Sequence, residues 1–296
     1  MKPKKILVPV DFSSFSEATT RYALDWAKKY QAEVTLFHVI VMYEADVNEE
    51  VHLHQLELLI KSREDEAIAK MERHNSRTNN KDIPLKSVFR RNVSAANAIL
   101  EYIEEEPHDL IIMNTHGKSG LKNLIYGSVT EKVVRLSPIP VVTFHTPPES
   151  LNIRRILSPV DFSDNSKKGV EMAQVLAREH GAKIDYLHTI EQQLHPSFQV
   201  IGIESIFILN PELKQISKDK LKEFCHSPDI ESEYHIIEGP SAPTIADFAG
   251  EHDTDLIVMA THGYTGLDHL LIGSTTERVV RMAGCPVLTV GREDKK

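Results

Sequence analysis

Apolar residues in this chain of 296 gather in short runs, each followed by a stretch with apolar positions at helical spacing, and the whole order occurs twice. Residues 6–10 form a short apolar run closed by Asp11, and residues 156–160 form its counterpart, closed by Asp161. Behind them Ala18, Tyr22, Ala23 and Trp26, and in the second copy Val170, Ala173, Val175 and Leu176, recur at the period of a helix. A second apolar run at 34–39 or 184–187 leads into a long insert. After the insert come 85–90 or 234–237, a helix opened by Ser94 or Ser241, and a strongly apolar run at 110–113 or 256–259. A glycine-bearing loop, a helix and a last strand at 141–144 or 287–290 complete each copy. Strands alternating with helices predict βαβ units and a parallel sheet. The runs Leu-Ile-Ile-Met and Leu-Ile-Val-Met read as central strands buried on both faces. The expected fold is therefore α/β, with five parallel strands and helices on both faces in each of two tandem units.

The two aspartates stand 150 residues apart and the pairs Gly127-Ser128 and Gly273-Ser274 stand 146 apart, so the repeat keeps its register over a whole domain. Stackable repeats have periods of about 20–50 residues. A unit of this size must bury its own core. The proline-rich stretch Thr146-Pro147-Pro148-Glu149-Ser150 is the expected linker, which places one domain at residues 1–146 and the other at 151–296. The inserts differ most: residues 49–77 form a charged helical stretch, whereas residues 195–209 are unusually apolar and are expected to pack on their own domain or its partner copy, or to form an apolar binding surface.

Composition narrows the function. Net charge is −9 and uneven, with −1 on residues 1–148 and −8 on 149–296. An acidic surface repels a phosphate backbone, so neither nucleic acid nor an anionic membrane is an expected partner. No run approaches the ~18 apolar residues of a membrane span, and the apolar run after Met1-Lys2-Pro3-Lys4-Lys5 is too short for a signal peptide, so a cytoplasmic protein is expected. Cys225 and Cys285 lack metal-ligand spacing and read as two reduced apolar residues.

Candidate chemistry sits where the apolar runs end. In open parallel sheets the ligand crevice lies outside the carboxyl ends of the strands, where Asp11, Asp161 and the glycine loops fall. Asn114-Thr115-His116-Gly117 is followed after nine residues by Gly127-Ser128, and Ala260-Thr261-His262-Gly263 after nine by Gly273-Ser274. Such a loop can cradle a phosphate on backbone N–H groups at a helix start, with glycine wherever a Cβ would block approach. Ser128 with Glu131, and Ser274 with Glu277, also match a capping box, which would make each Gly-Ser merely the opening of a helix. Asp11 and Asp161 can accept hydrogen bonds from a ligand in that crevice, or cap the helix behind them. His116 and His262 read as loop-packing residues, and His52 and His54 face different directions on a helix and make no metal pair. A nucleophile elbow, a zinc-helix motif and a complete lysine-bearing P-loop are absent, so efficient catalysis is not expected and no catalytic or metal-ligating residue is assigned.

The pattern Gly-two residues-Gly-nine residues-Gly-Ser after such a strand, with Pro9-Val10-Asp11 and Pro159-Val160-Asp161 at the first strand ends, resembles the universal stress proteins in their tandem form, over essentially the whole chain. The resemblance implies domains of strand order 3-2-1-4-5 that bind ATP or a related adenine nucleotide, with Mg2+ as an optional companion, as sensors or regulators in the stress response. It also implies pairing through the last strand, as an intramolecular pseudo-dimer of the two halves or a homodimer of chains. Carried over, Pro9, Val10, Asp11 and Val39 would surround adenine and ribose, while Met113, Gly117, Gly127, Ser128, Val129 and Thr130 would continue toward the phosphates. The matching second set is Pro159, Val160, Asp161, Thr189, Met259, Ala260, Gly263, Gly273, Ser274, Thr275 and Thr276. Both copies depart at the family's first glycine, which is Asn114 in one and Ala260 in the other. Alanine obstructs less than asparagine, so shape favours the second site, while Lys118 and Lys122 against Tyr264 and Asp268 make charge favour the first. The balance of these points to the second site. The alternative is an interaction scaffold with decayed nucleotide sites, working through residues 198–209 or the outer helices.

Overall fold

The computed structural model describes residues 1–42, 53–78, 82–115, 127–191, 205–261 and 273–291. They divide into two compact units, Lys2–Leu151 and Asn152–Lys296. The first unit runs β1 (Lys5–Pro9), α1 (Ser14–Tyr30), β2 (Glu33–Val41), α2 (Leu53–Thr78), β3 (Leu85–Asn92), α3 (Ala95–Glu105), β4 (Leu110–Asn114), α4 (Ser128–Leu136) and β5 (Val141–Phe144). Its strands lie in the order β3-β2-β1-β4-β5, all parallel. The second unit runs β6 (Arg155–Pro159), α5 (Asp164–His180), β7 (Lys183–Ile190), α6 (Ile206–Leu209), α7 (Pro211–Phe224), β8 (Ser232–Glu238), α8 (Ser241–Glu251), β9 (Leu256–Ala260), α9 (Ser274–Met282) and β10 (Val287–Val290). Its order, β8-β7-β6-β9-β10, is the same topology, again parallel throughout.

The central strands are buried end to end, from Ile6 to Val8 and from Leu110 to Met113, and their counterparts Leu256 to Met259 are buried likewise. The helical pattern needs an adjustment in each copy, and in α5 it is Val175 that is only half-buried. Ala18 is only half-buried, and the core face of α1 instead carries Thr19 and Thr20 beside Tyr22, Ala23 and Trp26. Two buried threonines do not read as core in a sequence because burying a hydroxyl costs free energy unless it is bonded. Here both are bonded, Thr19 Oγ1 donating to the Phe15 carbonyl at 2.8 Å and Thr20 Oγ1 lying 2.8 Å from His74 Nε2.

Capping is repeated between the copies. Ser13 and Ser163, not the preceding aspartates, are the N-caps, accepting from the amides of Ser16 and Ser166. At the other end Gly181 adopts a left-handed conformation with φ 66°, while its counterpart Gln31 does so at φ 55° with a side chain attached. A Cβ disfavours that region and glycine does not. Gln31→Gly is therefore expected to stabilise the first unit by about 0.5–1 kcal/mol. Trp26 is the chain's only tryptophan, so a denaturant titration followed by its fluorescence reads this unit directly.

Candidate functional site

The site begins where β1 ends. Val10 N–H donates to the Phe37 carbonyl of β2 at 2.9 Å, which holds the strand end in the sheet for one residue beyond Pro9. The chain then turns at Phe12, whose φ of 63° is unusual for an aromatic residue, and Phe162 repeats the turn at 64°. Asp11 fixes this turn. Its Oδ1 accepts from Ser13 N–H at 3.0 Å and Ser13 Oγ at 2.7 Å, and from Ser16 Oγ. Asp161 Oδ1 holds Ser163 in the same way at 3.0 and 2.6 Å. The aspartates thus buttress the capping serine instead of capping α1 or α5 themselves.

A histidine locks the turn from the neighbouring strand. His38 Nδ1 lies 2.7 Å from the Val10 carbonyl with its ring 4.3 Å from that of Phe12. His188 stands 2.7 Å from the Val160 carbonyl and 4.5 Å from Phe162. A carbonyl can only accept, so Nδ1 carries the proton in both rings. Burial lowers the pKa of His188 despite the Val160 carbonyl, which raises it. Sequence reading passed over both histidines, although the repeat contained the signal: each stands 27 residues beyond its aspartate.

At the end of β4 and of β9, Gly127 N–H donates to the Thr115 carbonyl at 3.0 Å, and Gly273 N–H to that of Thr261 at 2.8 Å. The glycines, not the serines, are the N-caps of α4 and α9, and no side chain caps either helix. The capping-box reading of Ser128–Glu131 and Ser274–Glu277 is thereby corrected, since each serine is already the first helical residue. Thr130 Oγ1 donates to the Asn114 carbonyl and Thr276 Oγ1 to that of Ala260, both at 2.9 Å, so these hydroxyls tie strand end to helix start. Thr189 Oγ1 is likewise engaged, 2.7 Å from Ser241 Oγ. Ser241 does not cap α8; its amide donates to the Glu191 carboxylate, and that bond holds the carboxyl below its usual range.

Between these walls the first unit has a half-open cavity of about 780 Å³. Pro9, Val10, Asp11 and Val39 line one part of it, and Met113, Gly127, Ser128, Val129 and Thr130 another. One further wall was not foreseen: Arg63, Glu66, Ala67 and Lys70 of α2 face the same space. Asn114 lines it too, with its Nδ2 donating to the His145 carbonyl at 3.2 Å. Gly117 and Gly263 lie outside the described residues, as do His52, His116, His262, Lys118, Lys122, Tyr264, Asp268 and the apolar stretch up to residue 204.

The sequence pattern of the Universal stress protein family matches this chain at residues 2–145 and again at 152–291. The chain belongs to the universal stress protein family. Universal stress protein MJ0531 of Methanocaldococcus jannaschii is 33% identical over 144 residues, covering 48% of this chain and 85% of that protein. The Universal stress protein E homolog of Haemophilus influenzae is 26% identical over 221 residues and covers 71% of each chain. A crystal structure of a universal stress protein from Archaeoglobus fulgidus shares the fold over 100% of this chain and 98% of its own, with a TM-score of 0.66 at 20% identity. As in any tandem universal stress protein the family pattern occupies both units. Among the described residues no helix is long and apolar enough to cross a membrane. Cys225 and Cys285 are free thiols, each pushed up to about 12 by burial, which keeps them protonated at neutral pH.

Proposed function

We propose that this universal stress protein binds ATP or a related adenine nucleotide at the strand ends, as a cytoplasmic sensor or regulatory module of the stress response. The observation that carries the reading is the first-unit cavity, whose about 780 Å³ lies within the roughly 300–1,000 Å³ typical of small-molecule sites. Val10, Val39 and Met113 give it an apolar part suited to a flat purine. The start of α4 gives it amides that no side chain caps, and a helix N-terminus favours an anion by hydrogen bonding and by its dipole. Mg2+ would accompany the nucleotide's phosphates. The pairing of the two halves as a pseudo-dimer, or of whole chains as a homodimer, belongs to the same reading, and the mass in solution tests the latter.

A ligand that binds only the native state adds RT ln(1 + [L]/Kd), about 2.7 kcal/mol at a hundredfold excess over Kd. Millimolar ATP is therefore expected to raise the melting temperature by roughly 5–10 °C for Kd near 10 μM. A flat melting temperature would reject the reading. The scaffold alternative draws on α6 and α7, where Ile208 and Ile216 are each 59% exposed. Capture of a protein partner that is lost on Ile208→Asp with Ile216→Asp, together with that flat melting curve, would favour it.

A further inference from the structure

We infer that the nucleotide occupies the first unit alone, held between the amides of α4 and a basic stripe on α2; this rests on the nucleotide-binding reading above. Residues 63, 66, 67 and 70 fall three, four and seven apart and share one helix face. That face lines the cavity, so its charges are part of the site's wall. On this stripe Arg63 and Lys70 outnumber Glu66, which pairs with Lys70, while the carboxylates of the cavity's other walls are Asp11, already engaged with Ser13 and Ser16, and Glu131. A nucleoside polyphosphate is a multiply charged anion, and a guanidinium presents a planar fork of donors that matches phosphate oxygens. The uncapped α4 amides form another wall of the same cavity, so one ligand can meet both.

The second unit supplies an internal comparison. His74 of α2 packs 6.3 Å from Phe12, and Phe224 of α7 packs 5.6 Å from Phe162, each pair of equivalents standing 150 residues apart. Met71 and Leu221, 2% and 0% exposed, are core anchors at the same offset. That correspondence maps the stripe onto Leu213, Ile216, Ser217 and Lys220. Lysine is the feature kept in both units. Its Nζ in the second lies 4.2 Å over the Phe162 ring. The guanidinium has become Leu213 and the acid Ile216, in a unit whose residues 152–296 carry a net charge of −7. At these matching positions leucine and isoleucine offer a polyphosphate no donor to replace its water, and the unit's acidic field opposes its approach.

The sequence comparison favoured the second unit because Asn114 seemed to obstruct the first. With its amide donating to the His145 carbonyl at the end of β5, Asn114 lines the cavity without filling it.

Isothermal titration of the full chain with ATP tests the inference. The expected stoichiometry is one nucleotide per chain, and Arg63→Leu with Lys70→Met should weaken binding at least tenfold while leaving the melting temperature of the free protein unchanged. Two nucleotides per chain, or a single site indifferent to the double substitution, overturns the inference and leaves the nucleotide-binding reading standing. Absence of any ATP binding overturns both. Photo-crosslinking of the wild-type chain with azido-ATP gives a second readout that needs no variant to fold. Labelled peptides from residues 2–151 support the inference, and labelled peptides from residues 152–296 overturn it.

Discussion

Arg155→Met is expected to destabilise the second unit by about 3–5 kcal/mol, the range for removing one partner of a buried ion pair and leaving the other charge uncompensated. The charge left behind is Asp185, whose side chain is 1% exposed in the middle of β7. Arg155 Nε donates to its Oδ2 at 2.6 Å, and His235 Nε2 lies 3.0 Å from its Oδ1. Burial pushes the Asp185 carboxyl up, but the hydrogen bonds from His235 and Arg155 outweigh it and hold the pKa at about 2. A pKa depressed in the folded state contributes stability above the unfolded pKa, near 4, that is lost as pH falls toward 2. At about 1.4 kcal/mol per pH unit the wild-type contribution is about 2–3 kcal/mol. Without Arg155, burial has less to oppose it and the carboxyl titrates at higher pH. If its folded value then exceeds the unfolded one the sign reverses, with stability present at low pH and lost as pH rises. The gap between wild type and variant should therefore narrow on acidification from pH 7 to pH 3. Hydrogen exchange of peptides from β6, β7 and β8 measures it in the unit concerned. A gap that is constant with pH would mean that Asp185 is not held by Arg155 in solution.

This ion pair also shows where a repeat stops being informative. The position equivalent to Asp185 is Thr35, which lies 3.1 Å from His108 Nε2, so each copy solved the problem of a polar residue inside the sheet with a different partner. The parts that could be read in advance were those fixed by local physics. Each segment read as a strand coincides with a strand among the described residues, and the duplication indicated that each unit is a complete fold. Glycine at positions 127 and 273 was readable as a close approach, but its role as N-cap was not, because Ser-x-x-Glu one residue later is the stronger local signal. The cavity wall on α2 was hidden for a different reason. Its charged stripe looks like a solvated helix face, and nothing local distinguishes a face turned to solvent from one turned to a cavity. The packing of Met71, His74 and Thr78 shows which way the helix is rotated.

Gly127→Val is expected to raise the Kd for ATP in the first unit more than a hundredfold. The conflict is not torsional, since φ −67° and ψ 134° suit any residue. It is one of space. A Cβ at this position would stand 3.0 Å from the carbonyl oxygen of Thr115, a fully buried backbone atom that also accepts the Gly127 N–H bond. Backbone cannot swing aside as a side chain can, so valine must lift the start of α4 away from the end of β4. The tie from Thr130 Oγ1 to the Asn114 carbonyl opens with it, and Ser128, Val129 and Thr130, which line the cavity, shift with the start of the helix. Hydrogen bonds to a charged group contribute about 1.5–3 kcal/mol each, and two such losses amount to a factor of a hundred or more in affinity. Overpacking costs the free protein about 1–3 kcal/mol as well, so the two effects must be separated. Titration calorimetry below the variant's own melting temperature does so, with Gly127→Ala as the intermediate case. An unchanged affinity in a folded Gly127→Val protein would show that the ligand does not rest on α4, whatever else lines the cavity.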